Sequence, residues 1–288
     1  MEQVQIAVIG GDLRLKYLCN LLENEGYRVL RYGIVEKEET ECHSLKDAVK
    51  NAEIVVTGIP FSKGEQLFAK IRKEDATVQH LYDEMNAQQI LFGGCFAEEE
   101  IRLFQKKGIT CIDFMKDETL AVFNAIATAE GAIAETLVRK KTNLQGSQCL
   151  VLGYGRCGKV IAHKLKGLEA EVTVCDRRRE SLAYAKAFGH HTILPEELEK
   201  KIHRYAYVFN TIPKQVIGRE ILKKMPEDVL IIDIASKAGG VDDKAAKELG
   251  KKVYLSPGLP GKYAPLDSAK GLMEVIIRKG IEDGVKRN

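Results

Sequence analysis

The chain lacks the features that would commit it to several common classes. It has no basic block: 44 Lys and Arg stand against 41 Asp and Glu, spread over 288 residues for a net charge of +3. No stretch can therefore neutralise a run of phosphates, and nucleic acid is not an expected partner. No apolar run approaches the roughly 20 residues a bilayer needs, and Met1-Glu-Gln-Val4 lacks a basic region followed by an apolar signal core. No membrane partner is expected, and a cytoplasmic location is. The seven cysteines (19, 42, 95, 111, 149, 157 and 175) form no CxxC pair and have no histidine cluster beside them. They read as reduced thiols, with neither zinc nor disulfides expected. Low-complexity tracts are missing too, and 45% hydrophobic with 30% charged residues is an ordinary globular balance.

What is present is alternation. Strand patterns at residues 4–9, 28–32, 53–58, 89–93 and 109–112 are separated by helical periodicity, as at 12–25 and 98–107. The stretch NAIATAEGAIAETLVRKK, residues 124–141, is rich in helix formers and ends in a basic last turn, so it predicts a helix joining two domains. The alternation then restarts, with strands at 148–152, 171–175, 207–212, 229–234 and 252–255. Such a pattern implies parallel sheets covered by helices on both faces. An amphipathic helix beginning near Asp267 is expected to pack back on the first domain.

The stretch LVLGYGRCG, residues 150–158, carries three glycines at the spacing of a dinucleotide turn between a strand and a helix. Gly153 permits the tight turn, Gly155 lets the backbone approach a pyrophosphate, and Gly158 allows helix to pack on strand. The helix that follows, with Arg156 and Cys157 at its start, offers free N–H groups to phosphate. The next strand closes at Asp176, where an acidic residue holds the adenosine ribose. Asp176 favours NAD, whereas Arg177, Arg178 and Arg179 suit the extra phosphate of NADP. NADP and NAD both stay open on these residues. The turn in the first half, Ile9-Gly-Gly-Asp-Leu-Arg14, lacks the third glycine; Asp12 is placed as a helix N-cap and Arg14 as a clamp for a substrate carboxylate.

Six separated blocks, IAVIGGDLR, NAIATAEGAI, GSQCLVLGYGRCG, FNTIP, DIASKAGGVD and SPGLPGKYAP, occur in one order over nearly the whole chain. In them the chain resembles the A subunits of dipicolinate synthase. The resemblance implies oxidation of a dihydrodipicolinate, a small cyclic dicarboxylate from the lysine pathway, to dipicolinate by hydride transfer to NADP during sporulation. It also implies a partner, the flavoprotein-like B subunit. The expected architecture is α/β: a Rossmann dinucleotide-binding domain over 124–265 and a flavodoxin-like substrate domain over 1–123 with the returning helix of 266–288. A homo-oligomer is expected.

Ligands of open parallel sheets bind at the carboxyl edges of strands and between domains. On that rule a cleft between the two domains is expected, lined by loops carrying Arg14, Lys63, Thr128, Glu130, Thr211, Pro213, Ser236, Lys237, Gly258, Pro260 and Lys262. Arg14, Thr128, Glu130, Lys237, Gly258 and Pro260 are the substrate-side candidates. Thr211, Pro213 and Ser236 join the glycine turn on the coenzyme side. The six histidines fall on predicted helices or outer turns, so no proton acceptor is assigned. Two other readings stand beside this one. A D-2-hydroxyacid dehydrogenase shares the two-lobed design, but needs an Arg near position 237 and a His near 258, where this chain has Lys and Gly. A nucleotide sensor without chemistry needs only the glycine turn.

Overall fold

The computed structural model describes residues 4–34, 41–235 and 239–282. It divides into two units, Met1–Phe123 with Ala264–Asn288, and Asn124–Tyr263.

The first unit runs β1 (Gln5–Ile9), α1 (Leu13–Asn24), β2 (Arg28–Tyr32), α2 (Leu45–Val49), β3 (Ile54–Val56), a small hairpin of β4 (Ser62–Lys63) and β5 (Gln66–Leu67), α3 (Val78–Glu84), β6 (Ile90–Gly93), α4 (Glu98–Lys106) and β7 (Thr110–Asp113), and ends in the start of α5 (Glu118–Arg139). Its sheet, β2-β1-β3-β6-β7, is parallel throughout. Counted within the sheet this is the flavodoxin order 2-1-3-4-5. Short runs such as IVV in β3 are buried along their whole length because helices cover both faces. Alternate residues serve opposite layers: Ala7, Ile9 and Val55 meet Leu45, Leu81 and Phe104, while Ile6 and Val8 meet Leu18 and Leu22 of α1.

The second unit continues from α5 through β8 (Gln148–Leu152), α6 (Arg156–Gly167), β9 (Glu171–Cys175), α7 (Arg179–Ala187), β10 (His191–Ile193), α8 (Pro195–Lys201), β11 (Tyr207–Asn210), α9 (Arg219–Lys224), β12 (Leu230–Asp233), α10 (Asp243–Glu248), β13 (Lys252–Leu255) and α11 (Leu259–Tyr263). The order β10-β9-β8-β11-β12-β13 is the Rossmann sequence 3-2-1-4-5-6, again all parallel. The chain then returns: α12 (Pro265–Ile276) packs on α1, and its Ala269, Leu272, Val275 and Ile276 complete the core beside Ile6 and Val8.

Four details differ from expectation. The long helix starts at Glu118 rather than near 124, because Asp117 accepts the Leu120 N–H at 3.0 Å and caps it. That extension gives α5 a window of mean hydropathy 1.2, long and apolar enough to span a bilayer, against the expectation that no segment approaches this. Of that window 56% is buried inside the protein, as in a core helix. The strands β4, β5 and β10 are too short for a periodic signal, and His191 lies in β10 rather than on a helix or turn.

Candidate functional site

In the second unit the turn after β8 is built by its glycines. Gly153 has φ +89°, and a Cβ there would lie 2.5 Å from the Thr211 hydroxyl. A Cβ on Gly158 would stand 2.1 Å from the Gly153 carbonyl oxygen, so only glycine lets α6 sit this close to the turn. Gly155 is different: nothing lies within 4 Å of where its Cβ would point. It is also the N-cap of α6, a twelve-residue helix, and offers no side chain to the first-turn N–H groups. An open approach to uncapped amides at the positive end of a helix suits a dinucleotide pyrophosphate. Arg156 is exposed at this start, and Cys157 is half-buried, its thiol pushed up by burial and therefore protonated.

Asp176, at the end of β9, is 6% exposed. Its Oδ2 accepts the Tyr154 N–H at 2.8 Å, and its Oδ1 accepts the Arg178 N–H at 2.8 Å and Nε at 3.3 Å. Burial pushes this carboxyl up, but the bonds from Arg178 and Tyr154 outweigh it, and the group is held below the usual aspartate range. Asp176 thus ties the glycine turn to the end of β9. Arg177 is exposed and has no ion pair among the described residues. Arg178 is the arginine that engages Asp176, a role the sequence does not single out.

Thr211 follows β11, and its hydroxyl donates to the Leu152 carbonyl at 2.8 Å. Pro213 is exposed just beyond it. Ser236 and Lys237 lie outside the described residues. Just before them, Asp233 accepts N–H bonds from Ala235 at 3.0 Å and Asn210 at 2.9 Å, and burial pushes its carboxyl up. Gly258 is exposed in a turn with φ +68°, and Pro260 is half-buried in α11.

Several substrate-side candidates are occupied by the protein itself. Arg14, expected as a free clamp, is 7% exposed and forked onto its own N-cap: Nε donates to Asp12 Oδ1 at 2.9 Å, and Nη2 donates to Oδ2 at 2.8 Å and to the Ile59 carbonyl at 3.0 Å. The physical reason is local, since a guanidinium two residues after a capping aspartate reaches both its oxygens. Thr128 commits its hydroxyl to the Asn124 carbonyl at 2.8 Å, one helical turn back. Glu130 is an exposed partner of Lys164 at 2.8 Å rather than a ligand-facing base. Lys262 donates to Glu135, as does Tyr263 at 2.5 Å, and Arg139 pairs with the same carboxylate. Glu135, 1% exposed, escapes sequence reasoning because Lys262 and Tyr263 lie more than 120 residues along the chain.

Comparison with known proteins matches these two units to two families. Residues 5–115 match the N-terminal domain of the dipicolinate synthase A subunit, and 121–252 match the NAD binding domain of D-isomer specific 2-hydroxyacid dehydrogenases. The chain is similar to the dipicolinate synthase A subunit of Bacillus subtilis, with 30% identity over 95% of this chain and 94% of that one. A second similarity, at 25% identity over 72% of this chain and 69% of the other, is to alanine dehydrogenase 1 of Staphylococcus aureus. Among solved structures, the dipicolinate synthase A subunit of Bacillus halodurans superposes with a TM-score of 0.88 at 25% identity, covering 97% of this chain and 98% of that one.

Proposed function

The chain belongs to the family of dipicolinate synthase A subunits and carries the NAD-binding domain of an oxidoreductase, and from this premise we propose that it oxidises a dihydrodipicolinate to dipicolinate with NADP, in the cytoplasm and alongside a separate B subunit. The observation that carries the coenzyme half is Gly155: open space where its Cβ would point, at the head of a helix with no side-chain cap. Bound nicotinamide coenzyme supplies the hydride acceptor, and aromatisation of the ring supplies driving force. The work left to the chain is binding and orientation. Backbone N–H groups at the start of α6 hold the pyrophosphate, and Asp176 fixes the turn that presents them. Arg177 reads the 2′-phosphate of NADP from the rim, while Arg178 offsets the charge of Asp176 that would otherwise repel it.

Two measurements test the proposal. Arg177→Ala weakens NADPH by about tenfold in a binding titration and leaves NADH nearly unchanged, the cost of one charge-assisted contact; an equal effect on both coenzymes refutes the assignment. Incubation of the dihydro diacid, NADP and the chain, with and without the B subunit, yields pyridine dicarboxylate. Tight coenzyme binding with no product in either mixture favours a nucleotide sensor instead.

A further inference from the structure

The first unit contains a cavity of about 250 Å³ lined by Lys63, Gln66, Phe68, Arg72 and Lys73 with small apolar neighbours. Backbone bonds build its walls. Gly64, at φ +67°, turns the β4–β5 hairpin so that Lys63 and Gln66 stand opposite each other. The strap that follows is pinned to the glycine turn after β1, with the Gly11 N–H donating to the Phe68 carbonyl at 2.7 Å and the Lys70 N–H to the Gly11 carbonyl at 2.8 Å. Its far end is held by the Leu67 N–H on the Ala76 carbonyl at 2.9 Å. The segment leaving β3 thus crosses over the loop leaving β1, where the strand order of this sheet reverses and open α/β sheets take their ligands.

Among the described residues, the walls carry more positive charge than carboxylates neutralise. Lys73 lies 3.6 Å from Glu41, a carboxylate also used by the Gly33 and Ile34 N–H groups. Lys63 and Arg72 pair with no carboxylate among the described residues; Lys63 rests 4.9 Å over the Phe68 ring. Two cations with no carboxylate partner among the described residues, an aromatic face, and apolar Leu67, Ala69 and Ala76 select an anion with a flat organic body. The volume, below that of ordinary drug-sized pockets, selects a small one.

We propose that this cavity binds a small planar dicarboxylate, with Lys63 and Arg72 taking one carboxylate each. The identity of the diacid rests on the function proposed above, whereas the charge and size of the site do not. It replaces Arg14, whose Nε and Nη2 are already engaged within the fold, as the source of cations for a doubly charged ligand.

Calorimetric titration of the full chain with pyridine-2,6-dicarboxylate, without coenzyme, tests it. The wild type binds the dicarboxylate at least tenfold more tightly than pyridine-2-carboxylate, which has the same ring and one charge fewer. Lys63→Ala and Arg72→Ala each weaken the dicarboxylate at least tenfold, the scale of one charge-assisted contact. Both side chains are exposed, so both variants fold and keep the wild-type affinity for NADPH. Unchanged dicarboxylate affinity in both variants overturns the site, and so does inorganic phosphate competing on equal terms, since phosphate has no ring for Phe68. A wild type that binds the dicarboxylate through Lys63 and Arg72 but no nicotinamide coenzyme refutes the dehydrogenase reading and leaves the cavity's assignment intact.

Discussion

In each unit the first strand leads into the same device, a glycine turn and a helix, but the two turns face opposite conditions at the helix start. After β1, Gly10 and Gly11 take φ of +61° and +82°, and Asp12 then caps α1, its Oδ1 accepting the Arg14 N–H at 3.0 Å. The anion position at that helix start is filled by the chain's own carboxylate, with Arg14 bound over it. After β8, the cap of α6 is Gly155, which brings no side chain at all. A helix start recruits an anion from solution only when the chain has not already supplied one. The first unit therefore needs cations elsewhere for an acidic ligand, and the second can hold phosphate on its backbone alone.

The contrast can be broken from either side, and the largest effect is expected in the first unit. Asp12→Ala strips Arg14 of its carboxylate, leaving only the Ile59 carbonyl, while the guanidinium stays buried, a loss of about 3–5 kcal/mol in urea unfolding; a loss below about 1 kcal/mol would show that the pair is immaterial. Gly158→Ala is next. Its Cβ falls 2.1 Å from the Gly153 carbonyl, so the turn shifts, stability drops by about 1–3 kcal/mol and coenzyme affinity falls with it. Gly155→Asp gives the second turn the plug of the first. Coenzyme affinity falls at least tenfold while thermal stability holds or rises by a few tenths of a kcal/mol, because aspartate is the better cap. Retained coenzyme binding in this variant would remove the helix start from the site.

Acidity separates the two edges more gently. For Asp12, burial pushes the carboxyl up but the Arg14 bonds outweigh it, so its folded value lies below the free 3.8. Its stabilisation is complete above that value and is lost as pH falls through the folded one. Asp233 has the opposite sign: burial raises it, so stability increases as pH falls from its folded value toward 3.8. Urea melts across about pH 3–7 should show Asp233→Asn flattening the gain above that point and Asp12→Asn flattening the loss below it. Parallel curves for the wild type and both variants would contradict this.

Both sheets apart from β10 were legible in the sequence because their strands are short apolar runs between helical stretches, a signal contained within a few residues. The start of α5 is legible too once Asp117-Glu-Thr is weighed as a cap followed by an acidic first turn. Ownership of the charges is harder. The fork between Asp12 and Arg14 spans two residues and is open to inference, but the grip of Lys262 and Tyr263 on Glu135 spans more than 120. Lys63 can be suspected from its loop, whereas Arg72 and Lys73 enter the same cavity only because the strap folds back over Gly11.

The closure of the first unit's core by α12 has a consequence for synthesis. When a ribosome has made everything through Tyr263, the second unit owns all its layers, while Leu18 and Leu22 of α1 still wait for Leu272 and Val275. The half that emerges first is thus the last to finish. Premature termination shortly before Pro265 would spare the late-made Rossmann sheet and leave the early-made one with an uncovered greasy flank.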